Sequence, residues 1–254
     1  MNYAKDSFKG RHVMVTGAGQ GNGRAIAIGL ARVGAHVIAV DVNEATLAET
    51  VDMIVAEAGA ASRYVLDIRD QSACQRVAEK IAAATGNIDL LVNNAGILIR
   101  GGIDAEGAQQ NWRNVMDVNV QGTFNVTYAF LPALKKTRGA IINIASIASF
   151  AGQAGALGYS PSKGAIKLFT QSLAAELAQD GVRVNAIAPG VIETEMSAVT
   201  RADPARLEKF MQRIPMGRVG KPEELLGPIL FLASPLASYV TGVTLPVDGG
   251  FLAM

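Results

Sequence analysis

Short, almost wholly apolar runs alternate along this chain with longer stretches of helical periodicity, and that alternation restricts its folds more than any other feature. The runs are His12–Thr16, Ala35–Val40, Arg63–Leu66, Asp89–Val92, Ala140–Ile144, Val182–Ala186 and Thr244–Pro246. A strand with one wet face alternates apolar and polar residues. Most of these runs do not, so they read as strands buried on both faces of a parallel sheet. Between them, Leu47, Val51, Ile54 and Ala58 mark one helical face, with Gly59 as a stop signal. Similar stretches cover roughly Gly23–Val33, Gln71–Thr85, Gln109–Leu134, Pro161–Gln179 and Pro222–Ala233. Repeated strand–helix units with short connections predict an α/β fold, a doubly wound parallel sheet with right-handed crossovers. No linker, low-complexity segment or internal repeat interrupts the pattern, so residues 1–254 are expected to form a single domain. The stretch from Val191 to Lys221 is too long for an ordinary strand–helix connection, and is expected to be a surface excursion or a lid over a site.

Composition removes several classes of function. With 23 basic and 22 acidic residues the net charge is +1, which leaves no footprint for nucleic acid or an anionic membrane. The lone Cys74 permits no intrachain disulfide, so a reducing, cytoplasmic setting is expected. His12 and His36 are the only histidines, and with one cysteine no zinc site of the usual kind can be assembled; no metal is expected. The opening MNYAKDSFKG is polar and lacks the apolar core of a signal peptide. The most lipid-like stretch, Gly139–Gly158, is interrupted by Asn143, Ser146, Ser149 and Gln153, so no membrane span is expected.

The first strand runs directly into Thr16-Gly17-Ala18-Gly19-Gln20-Gly21-Asn22-Gly23, with a helix immediately behind. Glycines serve where the chain must turn sharply and bring its backbone close to a pyrophosphate, whose charge then meets free N–H groups at a helix N-terminus. An ordinary glycine-rich turn would look the same, but Asp41 closes the second strand. A carboxylate there accepts hydrogen bonds from both ribose hydroxyls of an adenosine, whereas it would repel a 2′-phosphate. Neither Gln20 nor Val42 offers a compensating charge, so NAD is favoured over NADP.

Ser146 follows the fifth strand, and Tyr159-Ser160-Pro161-Ser162-Lys163 opens the next helix. Tyr159 and Lys163 stand at i and i+4 and share a helix face. Pro161 is tolerated in a first turn, where its missing N–H would be unpaired anyway. Oxidising an alcohol by hydride transfer needs a base for the hydroxyl proton. A free tyrosine, with a pKa of about 10, is a poor base at neutral pH. A lysine ammonium and a cationic nicotinamide ring both favour its phenolate, at about 1.4 kcal/mol per unit of pKa. Ser146 can hold the substrate oxygen and share its developing charge. The alternative for the Tyr/Lys pair alone is a solvated helix face.

With these residues in view, the sequence closely resembles the short-chain dehydrogenase/reductase family in its classical, single-domain form, over essentially the whole chain. The family's TGxxxGxG turn matches Thr16–Gly23, including Gly17, Gln20, Gly21, Asn22 and Gly23. Its NNAG segment matches Asn93-Asn94-Ala95-Gly96, and its adenine-flanking aspartate matches Asp67, followed by Ile68. The tetrad asparagine matches Asn119, the serine and YxxxK match Ser146, Tyr159 and Lys163, and the carboxamide clasp matches Pro189–Thr194, with Ile192 and Thr194. Asn22 stands where isoleucine is usual, and Pro161 where alanine is usual. The resemblance implies cofactor contacts from Asn94, Gly96, Tyr159 and Lys163, and an Asn119-held water linking Lys163 to solvent. It also implies a Rossmann-type, seven-stranded sheet of order 3-2-1-4-5-6-7 and a homotetramer, paired through the long helices after strands four and five and through the C-terminal region.

Substrate identity is less legible. Arg100, beyond NNAG, Gln153, between the serine and the tyrosine, and Arg201, Arg206 and Arg213 in the excursion are candidate contacts beside Ser146 and Tyr159. A guanidinium at the catalytic end of the sheet pairs well with a carboxylate. A small-molecule polyol, sugar or sugar acid is the leading expectation. The alternatives are a 3-oxoacyl thioester reductase using NADPH, and a non-catalytic dinucleotide-binding regulator, which the complete tetrad opposes.

Overall fold

The computed structural model describes residues 7–254. The first six residues, part of the polar opening segment, lie outside the described residues. Seven strands among the described residues form one parallel sheet in the order 3-2-1-4-5-6-7. They are β1 (His12–Thr16), β2 (His36–Asp41), β3 (Ala60–Val65), β4 (Leu90–Asn93), β5 (Ala140–Ile144), β6 (Arg183–Pro189) and β7 (Thr244–Val247). In register, Val13 sits between Val37 of β2 and Leu90 of β4. Strands β1, β4 and β5 are buried almost throughout, which is why they carry no alternation.

Helices cover both faces. On one, α1 (Gly21–Arg32), α2 (Glu44–Ala56) and α9 (Leu226–Ala233) close a core containing Ile26, Leu30, Leu47, Ile54 and Ile229. On the other, α3 (Gln71–Thr85), α5 (Thr123–Thr137) and α6 (Tyr159–Leu177) close a core containing Met14, Ile81, Phe130, Leu134 and Leu177. Sequence periodicity predicts one helix over Gln109–Leu134. The structure instead has α4 (Ala108–Met116), a π-helical segment Asp117–Gly122 and then α5. The wide turn holds Asn119, whose side chain is tied to another loop, and such insertions commonly mark functional positions. Strand β3 begins three residues earlier than its apolar residues suggest, because β2 pairs with it from Ala60 onward. Strand β6 runs on to Pro189, since β7 continues the ladder there.

The excursion contains α7 (Glu195–Arg201) and α8 (Pro204–Met211). Its base is closed by Gly220 N–H donating to Val191 O and Glu193 N–H donating to Gly220 O, both at 2.9 Å. No helix among the described residues is long and apolar enough to cross a membrane.

Candidate active site

The carboxyl ends of the strands open into one cavity of about 1110 Å³, and the glycine turn forms its floor at one end. Gly17 has φ +65°, and a Cβ there would lie 2.8 Å from Ala95 Cα. A Cβ on Gly23 would overlap the Gly17 carbonyl. Any larger residue would therefore push the strand, the turn and the NNAG segment apart. Asn94 locks the same junction, its Nδ2 donating to Thr16 O (3.0 Å) and Gly17 O (3.1 Å). Gln20 begins α1 without a side-chain cap, and the first turn carries no acidic residue. The N–H groups of that turn therefore remain available to an anion.

Asp41 ends β2 with both carboxylate oxygens engaged by backbone: Oδ2 accepts from Gly19 N–H and Oδ1 from Asn43 N–H, each at 2.9 Å. A carboxylate keeps further lone pairs, so this fixes its direction without exhausting it. Arg24, which donates to the carbonyl of the same Gly19, and Arg69, which lines the same cavity as Asp41, are both engaged. Arg24 donates to Gly19 O, Thr46 O and Glu49, and Arg69 pairs with Asp67 at 2.6 Å. That pairing holds the Asp67 carboxyl below the usual carboxylate range. Asn22 Oδ1 is buried with no donor among the described residues, an acceptor left for a hydroxyl or amide from outside the chain. An uncapped helix start, a cradle that excludes side chains and an orphaned acceptor together fit a dinucleotide.

At the other end, Ser146, Tyr159 and Lys163 face the same cavity. The Ser146 loop is fixed by Ser149, which accepts from Ser146 N–H (3.3 Å) and donates to Lys163 O (2.7 Å). Burial raises the Tyr159 phenol above its ordinary pKa, and a hydrogen bond with the Ser146 hydroxyl opposes the rise. Lys163 is 5% exposed; its Nζ donates to Ile144 O at 2.7 Å and stands 5.8 Å from the centre of the Tyr159 ring. Burial lowers its pKa to about 8. Gly96 lets these groups close up, since a Cβ there would lie 3.1 Å from Asn119 Oδ1 and 3.5 Å from Lys163 Nζ.

Of the expected tetrad and cofactor-binding residues, Asn119 alone does not line the cavity. Its amide accepts from Ile97 N–H (2.8 Å) and donates to Ile97 O (2.9 Å) and Ser162 Oγ (3.0 Å). It thus joins the π-helical segment to the loop after β4 and to α6. Asp67, Ile68, Ile192, Thr194, Arg100 and Gln153 all reach the cavity. Arg100 lies at its mouth, Nη2 donating to Thr200 Oγ1 at 2.8 Å. Arg206 and Arg213 also line it, whereas Arg201 turns back to Thr194 O, Ser197 and Glu193 and takes no part in the wall. Sequence reading missed Thr200, which orients Arg100, and Phe251, which lines the cavity from the C-terminal end. No local motif marks either, because each reaches the site from a distant part of the chain.

The family model described as enoyl-(acyl carrier protein) reductase matches residues 17–252. The chain is 41% identical over 250 residues to the 3-oxoacyl-(acyl-carrier-protein) reductase FabG of Thermotoga maritima, covering 96% of this chain and 99% of the relative. It is 39% identical over 256 residues to the 2-dehydro-3-deoxy-D-gluconate 5-dehydrogenase of Bacillus subtilis, covering all of both. Among solved structures, gluconate 5-dehydrogenase from Burkholderia cenocepacia, in complex with NADP and tartrate, superposes with a TM-score of 0.93. The two chains are 35% identical, over 99% of this chain and 98% of that one.

Proposed function

The chain belongs to the classical short-chain dehydrogenase/reductase family, and from that premise we propose that it is an NAD-dependent oxidoreductase interconverting a secondary alcohol and a ketone, with a polyol, sugar or sugar acid as substrate. The observation that carries this reading is the single cavity with an anion-ready glycine turn at one end and Ser146, Tyr159 and Lys163 at the other. The dinucleotide supplies the hydride acceptor.

The chain's own groups do the rest. Ser146 donates a hydrogen bond to the substrate oxygen and holds the carbinol against Tyr159. Tyr159 takes the hydroxyl proton, and the Lys163 ammonium offsets the burial that disfavours the phenolate. Asn119 holds the loop after β4 against α6, which keeps Gly96 and Lys163 in place, and in this reading the proton passes on to solvent through a water near them. Gln153 and Arg100 contact the rest of the substrate. Arg100, steadied by Thr200, faces an acidic group there, and Arg206 and Arg213 add positive charge at the same mouth.

Asp41, with no free cation beside it among the described residues, supports NAD as the preferred cofactor; the Burkholderia relative is described with NADP. A homotetramer is also part of the proposal. Phe124, Tyr128 and Leu168 are 45%, 58% and 63% exposed on α5 and α6, and Phe124 stacks on Tyr128 at 6.0 Å. An apolar face of this kind is suited to a second copy, and sedimentation velocity of Phe124→Glu should show smaller species than the parent. The proposed setting is cytoplasmic, matching the single buried thiol of Cys74.

The second reading, an NADPH-dependent 3-oxoacyl thioester reductase, is favoured by the Thermotoga relative. One experiment separates the two: aldonates, polyols and a 3-oxoacyl thioester assayed with both cofactors through the absorbance of the reduced nicotinamide. Turnover of hydroxy acids or polyols with NAD supports the proposal, and efficient thioester reduction with NADPH alone overturns it.

A further inference from the structure

The segment after β7 crosses to the substrate end of the cavity. Asp248 braces it by accepting two backbone bonds at 2.9 Å, Oδ1 from Gly250 N–H and Oδ2 from Leu252 N–H. Gly250, at φ +90°, turns the chain against the end of the excursion; a Cβ there would lie 3.0 Å from Pro215 Cγ. Met216 N–H donates to Gly249 O at 3.2 Å, so the turn and the excursion are also joined by backbone.

This turn carries Phe251 inward. The side chain is 6% exposed and forms one buried apolar cluster with Ile147 and Ile214, against which Phe210 and Met211 pack. Ile147 is the neighbour of Ser146, whereas Ile214 and Phe210 belong to the excursion. The Phe210 and Phe251 rings are 5.9 Å apart, and the Arg213 guanidinium stands 4.1 Å from the Phe251 ring centre. A cation over a ring face is attracted by the ring quadrupole, so the same ring holds Arg213 at the cavity edge. The Phe251 ring therefore packs against both the reactive loop and the excursion.

We propose that Phe251 is a specificity-determining residue: it sets the spacing between the Ser146 loop and the excursion, and so limits how far a substrate extends beyond its reacting carbon. Asp248 is a positioning residue that acts through it. The assignment rests on the alcohol–ketone reading of the site but not on the sugar-acid part of it. A pocket wall discriminates by size because a longer substrate must displace a close-packed side chain, while a shorter one leaves contacts unmade.

The test uses Phe251→Ala, Phe251→Leu and Asp248→Ala in the full chain, with two readouts. The first is hydrogen exchange of the cofactor-free protein. Phe251→Ala should exchange about tenfold faster in both 147–150 and 207–216, with α3 unchanged, as loss of a shared packing partner implies. Phe251→Leu, which keeps apolar contact, should stay near the parent. The second is kcat/KM across secondary alcohols that lengthen on the far side of the carbinol. Phe251→Ala should raise the longest relative to the shortest by about tenfold or more, with Asp248→Ala shifting the same way and dinucleotide affinity within about twofold of the parent. An equal fall across the series, or faster exchange in only one of the two segments, overturns the proposal. If the parent oxidises none of the alcohols, the alcohol-oxidising reading has failed, and hydrogen exchange alone decides whether Phe251 sets the spacing.

Discussion

Replacing Lys163 by methionine should make the folded chain more stable at neutral pH while removing its activity. Among the described residues Lys163 is the only buried Lys, Arg, Asp or Glu. Its ammonium donates to the Ile144 carbonyl, not to a carboxylate, so desolvation is only partly offset. The pKa falls from 10.5 to about 8. A lysine whose folded pKa is depressed loses stability as pH falls through the unfolded value, and the loss is complete below the folded value. At about 1.4 kcal/mol per unit, the charged ammonium costs about 3 kcal/mol at pH 7 and about 1 kcal/mol at pH 10. Methionine removes that pH-dependent cost and forfeits one hydrogen bond, about 1 kcal/mol at any pH. Relative to the parent, the variant should therefore gain about 2 to 3 kcal/mol between pH 10 and pH 7. Urea unfolding of both cofactor-free proteins at the two pH values measures this, and the change with pH isolates titration from packing. A stability difference that stays the same from pH 10 to pH 7 would refute the reasoning, because the ammonium would then cost nothing to bury. Turnover should be lost in either case, a separation of stability from function expected at such sites.

Three further outcomes follow from the same geometry. Tyr159→Phe should lower turnover by about two to three orders of magnitude with dinucleotide affinity nearly unchanged; near-parental turnover would remove Tyr159 from the proton transfer. Asp41→Ala should weaken NAD binding and narrow its advantage over NADP, read by fluorescence titration, and a parent that already prefers NADP would contradict the role given to this carboxylate. The 191–221 excursion is proposed to be a lid, so hydrogen exchange in α7 and α8 should slow when cofactor and substrate are added together. Strong protection in the free protein that does not change on binding would make it a fixed wall.

Features that depend on neighbours in sequence were legible in the residues alone. The parallel sheet follows from unalternated apolar runs at β1, β4 and β5, since a strand covered on both faces has no polar side to show. The glycine turn and the Tyr159/Lys163 pair are equally local, one set by backbone space and the other by a helix repeat. The π-helical turn at Asn119 was not legible, because the bonds from its amide to Ile97 and Ser162 come from segments far away in sequence, while its own residues keep ordinary helical periodicity. Arg100 could be named in advance but not its anchor, for Thr200 lies a hundred positions further on. Phe251 shows the limit most clearly. Nothing in Asp248-Gly249-Gly250-Phe251 announces a cavity wall, and the ring acquires that place only when β7 joins the sheet edge beside β6 and delivers the C-terminal turn between Ile147 and Ile214. Local spacing records what one element needs, whereas a contact between distant elements exists only once the sheet order has brought them together.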